Sequence, residues 1–312
     1  MKLGVLTFSY RHSAAMAEKL RTQGYISINL GDFMQTLASR TALRRIGAPD
    51  EDVVAVDRDS LADYDGPEVA LLMNGCFYDR CFPIPERVRP VFIGFQAKAG
   101  VIAGQLEYLK RHEPIGCRDL VTAKILNDHG IAAFVTGCLT MLFGRRPPDI
   151  EPTKVLAVYG AGAGAFPGSV LGRMPPELLP KLEFISQRKV CHNHPLTERD
   201  LAEAETFAAH LLEYYRRHAA LVITPLHHAA TPCLASGIPL VICRRKPGDR
   251  FSYLEQIIPV HTPPTYSSID WRPEPPDIGH IQAALIQETQ AALRRAGAMP
   301  TFPRVDAPRR DA

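Results

Sequence analysis

The sequence predicts an α/β protein made of two parallel-sheet domains with a cleft between them. Three observations carry that prediction. Short apolar runs alternate with amphipathic stretches, the pattern of successive βα units. A charged, proline-containing break at residues 144–153 interrupts the alternation, which then resumes. The chain is 312 residues long, about twice the length of a typical domain.

In the first half, strands are expected at 2–8, 53–56, 68–73, 90–95, 114–117 and 131–135. Between the first two, Phe33, Leu37, Ala38 and Leu43 recur at helical spacing, so a helix opens on Asp32 and closes near Gly47. After the break come strand 154–159, a Gly/Ala-rich loop, strand 182–186, helix 197–217, strand 220–224, helix 227–236 and strand 238–243. Thr197 with Asp200 three residues on forms a capping box for the long helix. Residues 262–277 hold five prolines and the only tryptophan and read as an extended connection. A last helix spans 278–296 behind Asp277, and the final fifteen residues are expected to fray. The predicted units are therefore 1–147, 148–261, and a connection, helix and tail over 262–312.

Composition narrows the partners. With 46% hydrophobic and 22% charged residues the chain can bury substantial cores. Lys and Arg number 36 against 33 Asp and Glu, a balance of 36 − 33 = +3, which provides no basic stripe for nucleic acid. No run of about 18 apolar residues is present, so no membrane span is expected. The apolar start, Met1 to Phe8, is too short for a signal peptide core. The seven cysteines are odd in number and scattered, without paired CxxC motifs, which predicts reduced thiols in a cytoplasmic protein.

Three constellations hold side chains suited to chemistry. In Asn29-Leu30-Gly31-Asp32-Phe33-Met34-Gln35, polar groups meet a helix start, where free N–H groups favour an anion and Asp32 is suited to act as base or simply as cap. In Pro114 to Thr122, Arg118 and Asp119 fall at the carboxyl end of a strand, either facing the cleft or pairing with each other to cap a helix. In Leu221 to Ile242, a buried strand ending at Thr224 delivers His227 and His228 to a helix start. There the dipole lowers an imidazole's pKa, and two adjacent histidines cannot both face the core. The glycine loop Gly160 to Gly164 lacks a dinucleotide fingerprint and reads as a flexible loop. Cys191-His192-Asn193-His194 has no second cluster with which to hold a metal.

Taken in order, these segments resemble the polysaccharide pyruvyl transferase family. The matching stretches are Asn29 to Asp32 extending through Gln35 and Ala38, Met73-Asn74-Gly75, Pro114 to Asp119 with Leu126 and Gly130-Ile131, Gly137 to Thr140, and Leu226-His227-x-Ala229 leading to Gly237-Ile238-Pro239-Leu240. The resemblance implies two Rossmann-like domains arranged as in GT-B glycosyltransferases, with the acceptor on the first and the donor on the second. It also implies transfer of a pyruvyl group from phosphoenolpyruvate, a co-substrate and not a bound cofactor, to a sugar or sugar-bearing acceptor.

On that reading His227 is the general acid and Asp32 or Asp119 the base. Asn29, Gly31, Gln35, Asn74, Arg118, Thr224, His228, Arg245 and Arg250 hold donor and substrate, and no metal is called for. The family commonly carries Ser-Arg-Leu-His where this chain has Thr224-Pro225-Leu226-His227, so the guanidinium at that position is missing. Arg118, Arg244, Arg245 and Arg250 are the cations able to replace it. Two other readings stay open, a GT-B-like glycosyltransferase using a nucleotide-sugar and a catalytically silent homologue. A homo-oligomer is compatible with each.

Overall fold

The computed structural model describes residues 1–298. The tail expected to fray lies outside them beyond Ala298, as does the end of the 262–312 unit. The first half runs β1 (Lys2–Thr7), α1 (Ala14–Gln23), β2 (Ile26–Asn29), α2 (Leu30–Arg45), β3 (Val53–Asp57), β4 (Val69–Leu72), β5 (Gly75–Phe77), β6 (Val88–Val91), β7 (Phe95–Ala97), α3 (Ala99–Gly104), α4 (Leu106–Arg111), β8 (Ile115–Cys117), α5 (Leu120–Asp128) and β9 (Ala133–Val135). The second half runs β10 (Lys154–Tyr159), β11 (Leu182–Ser186), β12 (Arg188–Cys191), α6 (Glu198–His218), β13 (Ala219–Thr224), α7 (His227–Ser236), β14 (Leu240–Cys243), β15 (Val260–His261) and α8 (Gly279–Arg295).

Three sheets are parallel, in the orders β3-β1-β4-β6, β5-β7-β8-β9 and β11-β10-β13-β14-β15. This is a mixed α/β fold consistent with Rossmann-like architecture. The first two sheets share two chain paths, because β4 continues into β5 and β6 into β7 after short bends. The sequence reading ran a single strand through 90–95; the chain instead breaks at Gly94, whose φ is +67° and whose missing side chain leaves room for Asn74 Oδ1. A Cβ there would collide with that oxygen.

A two-stranded antiparallel sheet was not foreseen. β2 of the first half pairs with β12 of the second, Arg188 opposite Asn29 through Cys191 opposite Ile26. Ile26 and Ile28 are fully buried. The apolar interior is likewise continuous across the halves, running from β1 and α2 through α6, α7 and α8. A smaller cluster, with Val170, Met174 and Tyr266, covers the other face of the β10–β14 sheet.

Helix α2 starts two residues earlier than expected. Asn29 is its cap, with Oδ1 accepting from the Gly31 N–H at 3.1 Å, and Asp32 sits in the first turn. Its C-terminal side turns at Gly47 with φ of +86°. The Thr197–Asp200 capping box is formed as read. Within 262–277, expected to be extended throughout, Pro263–Ser268 closes into a 3-10 turn.

Candidate functional site

Three elements converge at the carboxyl ends of β8 and β13. The first is the start of α2, positioned by β2. The second is Arg118, immediately after β8, where its backbone N–H donates to Phe95 O at 2.9 Å. The third is the start of α7, aimed by Thr224, whose Oγ donates to Val158 O at 2.8 Å and accepts from Leu226 N at 3.0 Å. The short segment around Arg250 crosses over from the second half, and Ser252 Oγ accepts from Leu120 N at 3.1 Å. Together they enclose a cavity of about 70 Å3 lined by Asn29, Arg118, Gln187, Leu226, His227, His228 and Arg250. The cavity is small because α2 and α7 pack closely. A Cβ on Gly31 would lie 2.9 Å from both His228 Cβ and Gln187 Nε2.

The chemistry of this cavity is cationic. Arg118 is 2% exposed. Its Nη1 donates to Gln35 Oε1 at 3.1 Å and approaches His228 Nε2 at 3.4 Å, while Nε and Nη2 have no partner among the described residues. A guanidinium only donates, so His228 Nε2 must be the accepting nitrogen and the ring is neutral with its proton on Nδ1. His227 is 8% exposed, and its Nδ1 is also without a partner. Its ring stands edge-on to His228 and to Phe251 at 5.0 and 5.7 Å between centroids.

Burial, then the charges of Arg118, Arg250 and Arg244, push His227 well below the ordinary imidazole pKa. For His228 the causes are burial, then His227, Arg118 and Arg250. Burial, followed by the field of Arg250, lowers the pKa of Arg118 as well. Two neutral histidines, a buried cation with no acid partner and a ten-residue helix presenting its N-terminus form a receptor for an oxyanion.

The remaining predicted residues fall around or away from this cavity. Half-buried Asp32 accepts from Tyr10 OH at 2.7 Å, Asn29 Nδ2 at 3.2 Å and Gln35 Nε2 at 3.3 Å. It thus reaches Arg118 through Gln35. Asp119 is not paired with Arg118: its two oxygens accept from Thr122 N at 2.8 Å and Thr122 Oγ at 3.2 Å, capping α5. Asn74 holds the bend above β5, with Oδ1 accepting from Leu139 N at 3.3 Å, and it does not line the cavity. Thr224 is spent on the turn, and Arg245 is exposed and outside the lining. Arg244 donates from Nη1 to Pro225 O at 2.7 Å and stacks on Phe251 at 4.1 Å, so a guanidinium stands beside the position where the chain itself carries proline. In Cys191 to His194, His192 and His194 make ring contacts to the Gly24 and Tyr10 carbonyls at 3.1 and 2.9 Å.

Sequence reasoning missed a polar cluster beside Asp32. Arg58 packs on Phe8 at 4.7 Å and Tyr78 at 5.0 Å, and donates to buried Asp59 at 2.9 Å. Asp59 also accepts from Tyr10 N at 2.9 Å and Arg80 Nη2 at 3.3 Å. Tyr10 itself sits at φ of +56°, a left-handed conformation that side chains other than glycine rarely adopt. The available signal was the polar run Ser9-Tyr10-Arg11 directly after β1. Gln187, which lines the cavity and takes a hydrogen bond from Tyr215 OH at 3.3 Å, gave none.

Fold and site thus define a mixed α/β protein with a buried cationic cavity where three carboxyl-edge elements meet. Residues 106–247 match the family model for polysaccharide pyruvyl transferase, which bears out the resemblance read from the ordered motifs. Arg118, His227 and His228 fall inside the matched stretch. No curated protein matches the chain. Among solved structures, the chain is similar to a functionally uncharacterized protein from Klebsiella pneumoniae subsp. pneumoniae at 11% identity, covering 72% of this chain and 84% of that one with a TM-score of 0.41. Among the described residues no helix is long and apolar enough to cross a membrane.

Proposed function

We propose that this protein is a pyruvyl transferase-like enzyme that moves a pyruvyl group from phosphoenolpyruvate to a sugar-bearing acceptor. The supporting observation is Arg118, a buried guanidinium with two free donor nitrogens, beside two neutral histidines inside the family-matched stretch. In this reading units 1–147 and 148–261 are the acceptor and donor halves of a GT-B-like arrangement. A cytoplasmic protein fits a soluble phosphorylated donor.

The donor's anionic group sits against Arg118 and Arg250, with Arg244 supplying the charge that Pro225 does not. Burial, then the arginine field, lowers the His227 pKa, and a bound anion offsets the second of these, which favours uptake of a proton by the imidazole once the donor arrives. His227 then protonates the methylene carbon, which leaves positive charge on the neighbouring carbon. A sugar hydroxyl adds there and gives its proton to Asp32. The carbon–oxygen bond to phosphate breaks as a second hydroxyl closes the ketal and gives its proton to the now neutral His227, and phosphate leaves. Asp119, committed to its helix cap, is the weaker candidate for the base. A cavity of about 70 Å3 suits one anionic head group, and the exposed Arg250 segment borders it.

The small cavity favours one other reading, a catalytically silent homologue. The glycine loop favours another: a Cβ on Gly164 would lie 2.5 Å from Leu226 Cδ2, so the loop packs behind a residue that lines the cavity, and such a loop would suit the diphosphate of a nucleotide-sugar. Thermal-shift titration with phosphoenolpyruvate and with nucleoside diphosphates separates the three. A saturable phosphoenolpyruvate shift that is lost in Arg118→Met supports the transferase. A shift with nucleotide alone replaces it with the glycosyltransferase, and no shift with either leaves the silent homologue.

A further inference from the structure

A second cavity, of about 650 Å3, lies at the opposite, amino-terminal edge of the same strands. Its walls are the loop leading into β6, the end of α4, the Glu113-Pro114 approach to β8 and the last turn of α8. That volume encloses a small organic molecule. Pro114 lines it and Arg118 lines the candidate site, so the three residues of β8 lie between them, and four steps along the chain at ~3.3 Å each, ~13 Å in all, hold the two apart.

The lining divides by chemistry. Ile84, Phe92 and Tyr108 offer an apolar floor, with the Tyr108 ring 4.6 Å from His112 and 5.7 Å from Phe82. The Tyr108 hydroxyl itself is sealed from solvent, so the rest of the ring and not the hydroxyl lines the cavity. Arg89, Arg111 and Arg295 form the rim. Of the two acids there, Glu113 is already engaged, accepting from Lys110 Nζ at 3.1 Å and Ala132 N at 2.7 Å, which leaves Glu86 against three guanidiniums. The rim therefore has a surplus of positive charge.

We propose that this cavity is a second ligand site, separate from the first, for a small organic anion with an aromatic ring. The ring lies on Phe92 and Tyr108, and the acid group faces Arg111 and Arg295. Aromatic faces beside guanidiniums select such a molecule over inorganic phosphate, which gains nothing from the floor.

Isothermal titration of the full chain with 1-naphthyl phosphate and 4-hydroxyphenylacetate, against inorganic phosphate, tests this. The expected result is one-to-one binding of at least one aromatic probe, retained in Arg118→Met and weakened tenfold or more in Arg111→Ala/Arg295→Ala. The two arginines are exposed, so their removal leaves folding intact. Binding that survives the double arginine variant, that disappears in Arg118→Met, or that is absent for both probes overturns the proposal.

Discussion

Arg118 Nη1 stands 3.4 Å from His228 Nε2, and no carboxylate among the described residues pairs with that guanidinium. A buried cation normally recruits an acid, because desolvation alone costs several kcal/mol per ion. Here its neighbours are an amide oxygen and a neutral ring. The site thus carries an electrostatic cost that an incoming anion would relieve.

Arg118→Met should therefore separate ligand binding from stability. The substitution removes an unpaired buried charge and fills similar volume, so stability in urea is expected to stay within about 1 kcal/mol of the parent or to rise. The shift produced by phosphoenolpyruvate should vanish. A large loss of stability would mean that Gln35 and His228 depend on Arg118 for packing.

Asp119→Ala tests cap against catalysis. Loss of both Thr122 contacts should cost about 0.5–2 kcal/mol, the range for N-cap removal. Donor binding should be unchanged, because the carboxylate does not face the cavity. An intact fold with abolished donor binding would give Asp119 a role that its hydrogen bonds do not reveal.

The histidines set a pH dependence. Both have folded-state pKa values well below 6.5, so between those values and about 6.5 the unfolded chain binds protons that the folded chain does not. Stability from this pair is full above about pH 6.5 and is lost as pH falls below it. Replacing both with Gln should flatten that acid limb in denaturation midpoints measured from pH 7.5 down to 5. Donor binding should also take up protons, seen as a binding enthalpy at pH 6.5 that varies with the ionisation enthalpy of the buffer.

Gly31→Ala should fold with a penalty of about 1–3 kcal/mol, the usual cost of overpacking. Its new methyl would press on His228 and Gln187, separating α2 from α7. Donor affinity should fall along with the urea midpoint, whereas Gly104→Ala, which meets nothing within 4 Å, should leave donor affinity unchanged.

Arg250 and Arg245 offer an internal contrast on one loop. Only Arg250 lines the cavity, so Arg250→Ala should weaken donor binding by tenfold or more, and Arg245→Ala should leave it near the parent value. Equal effects in a titration at fixed ionic strength would point to long-range attraction and not to a contact.

The local grammar of the chain was legible in its sequence. Helix α7 at 227–236, strands β10 and β11 and the Thr197–Asp200 box come from patterns that span only a few residues. The two histidines and Arg118 were also readable, since each follows directly after an apolar strand. What escaped depends on contacts between distant segments. Asn74 looks like a ligand residue in isolation, yet Gly94 and Leu139, twenty and sixty-five residues on, turn it into a bend support. Arg58 and Asp59 look like a solvated charge run until Phe8, Tyr78 and Tyr10 close around them. Pairing of β2 with β12 had no local sign, because neither short strand shows a turn or a partner nearby.

That antiparallel pair has a mechanical meaning. β2 runs straight into Asn29 and β12 follows straight after Gln187, so the seam joining the halves ends at two walls of the oxyanion receptor. The halves cannot slide along each other without breaking four registered residue pairs. The core that runs on from β1 and α2 through α6, α7 and α8 holds them against tilting as well, so Asn29 and Gln187 stand like a corner post set in a continuous wall.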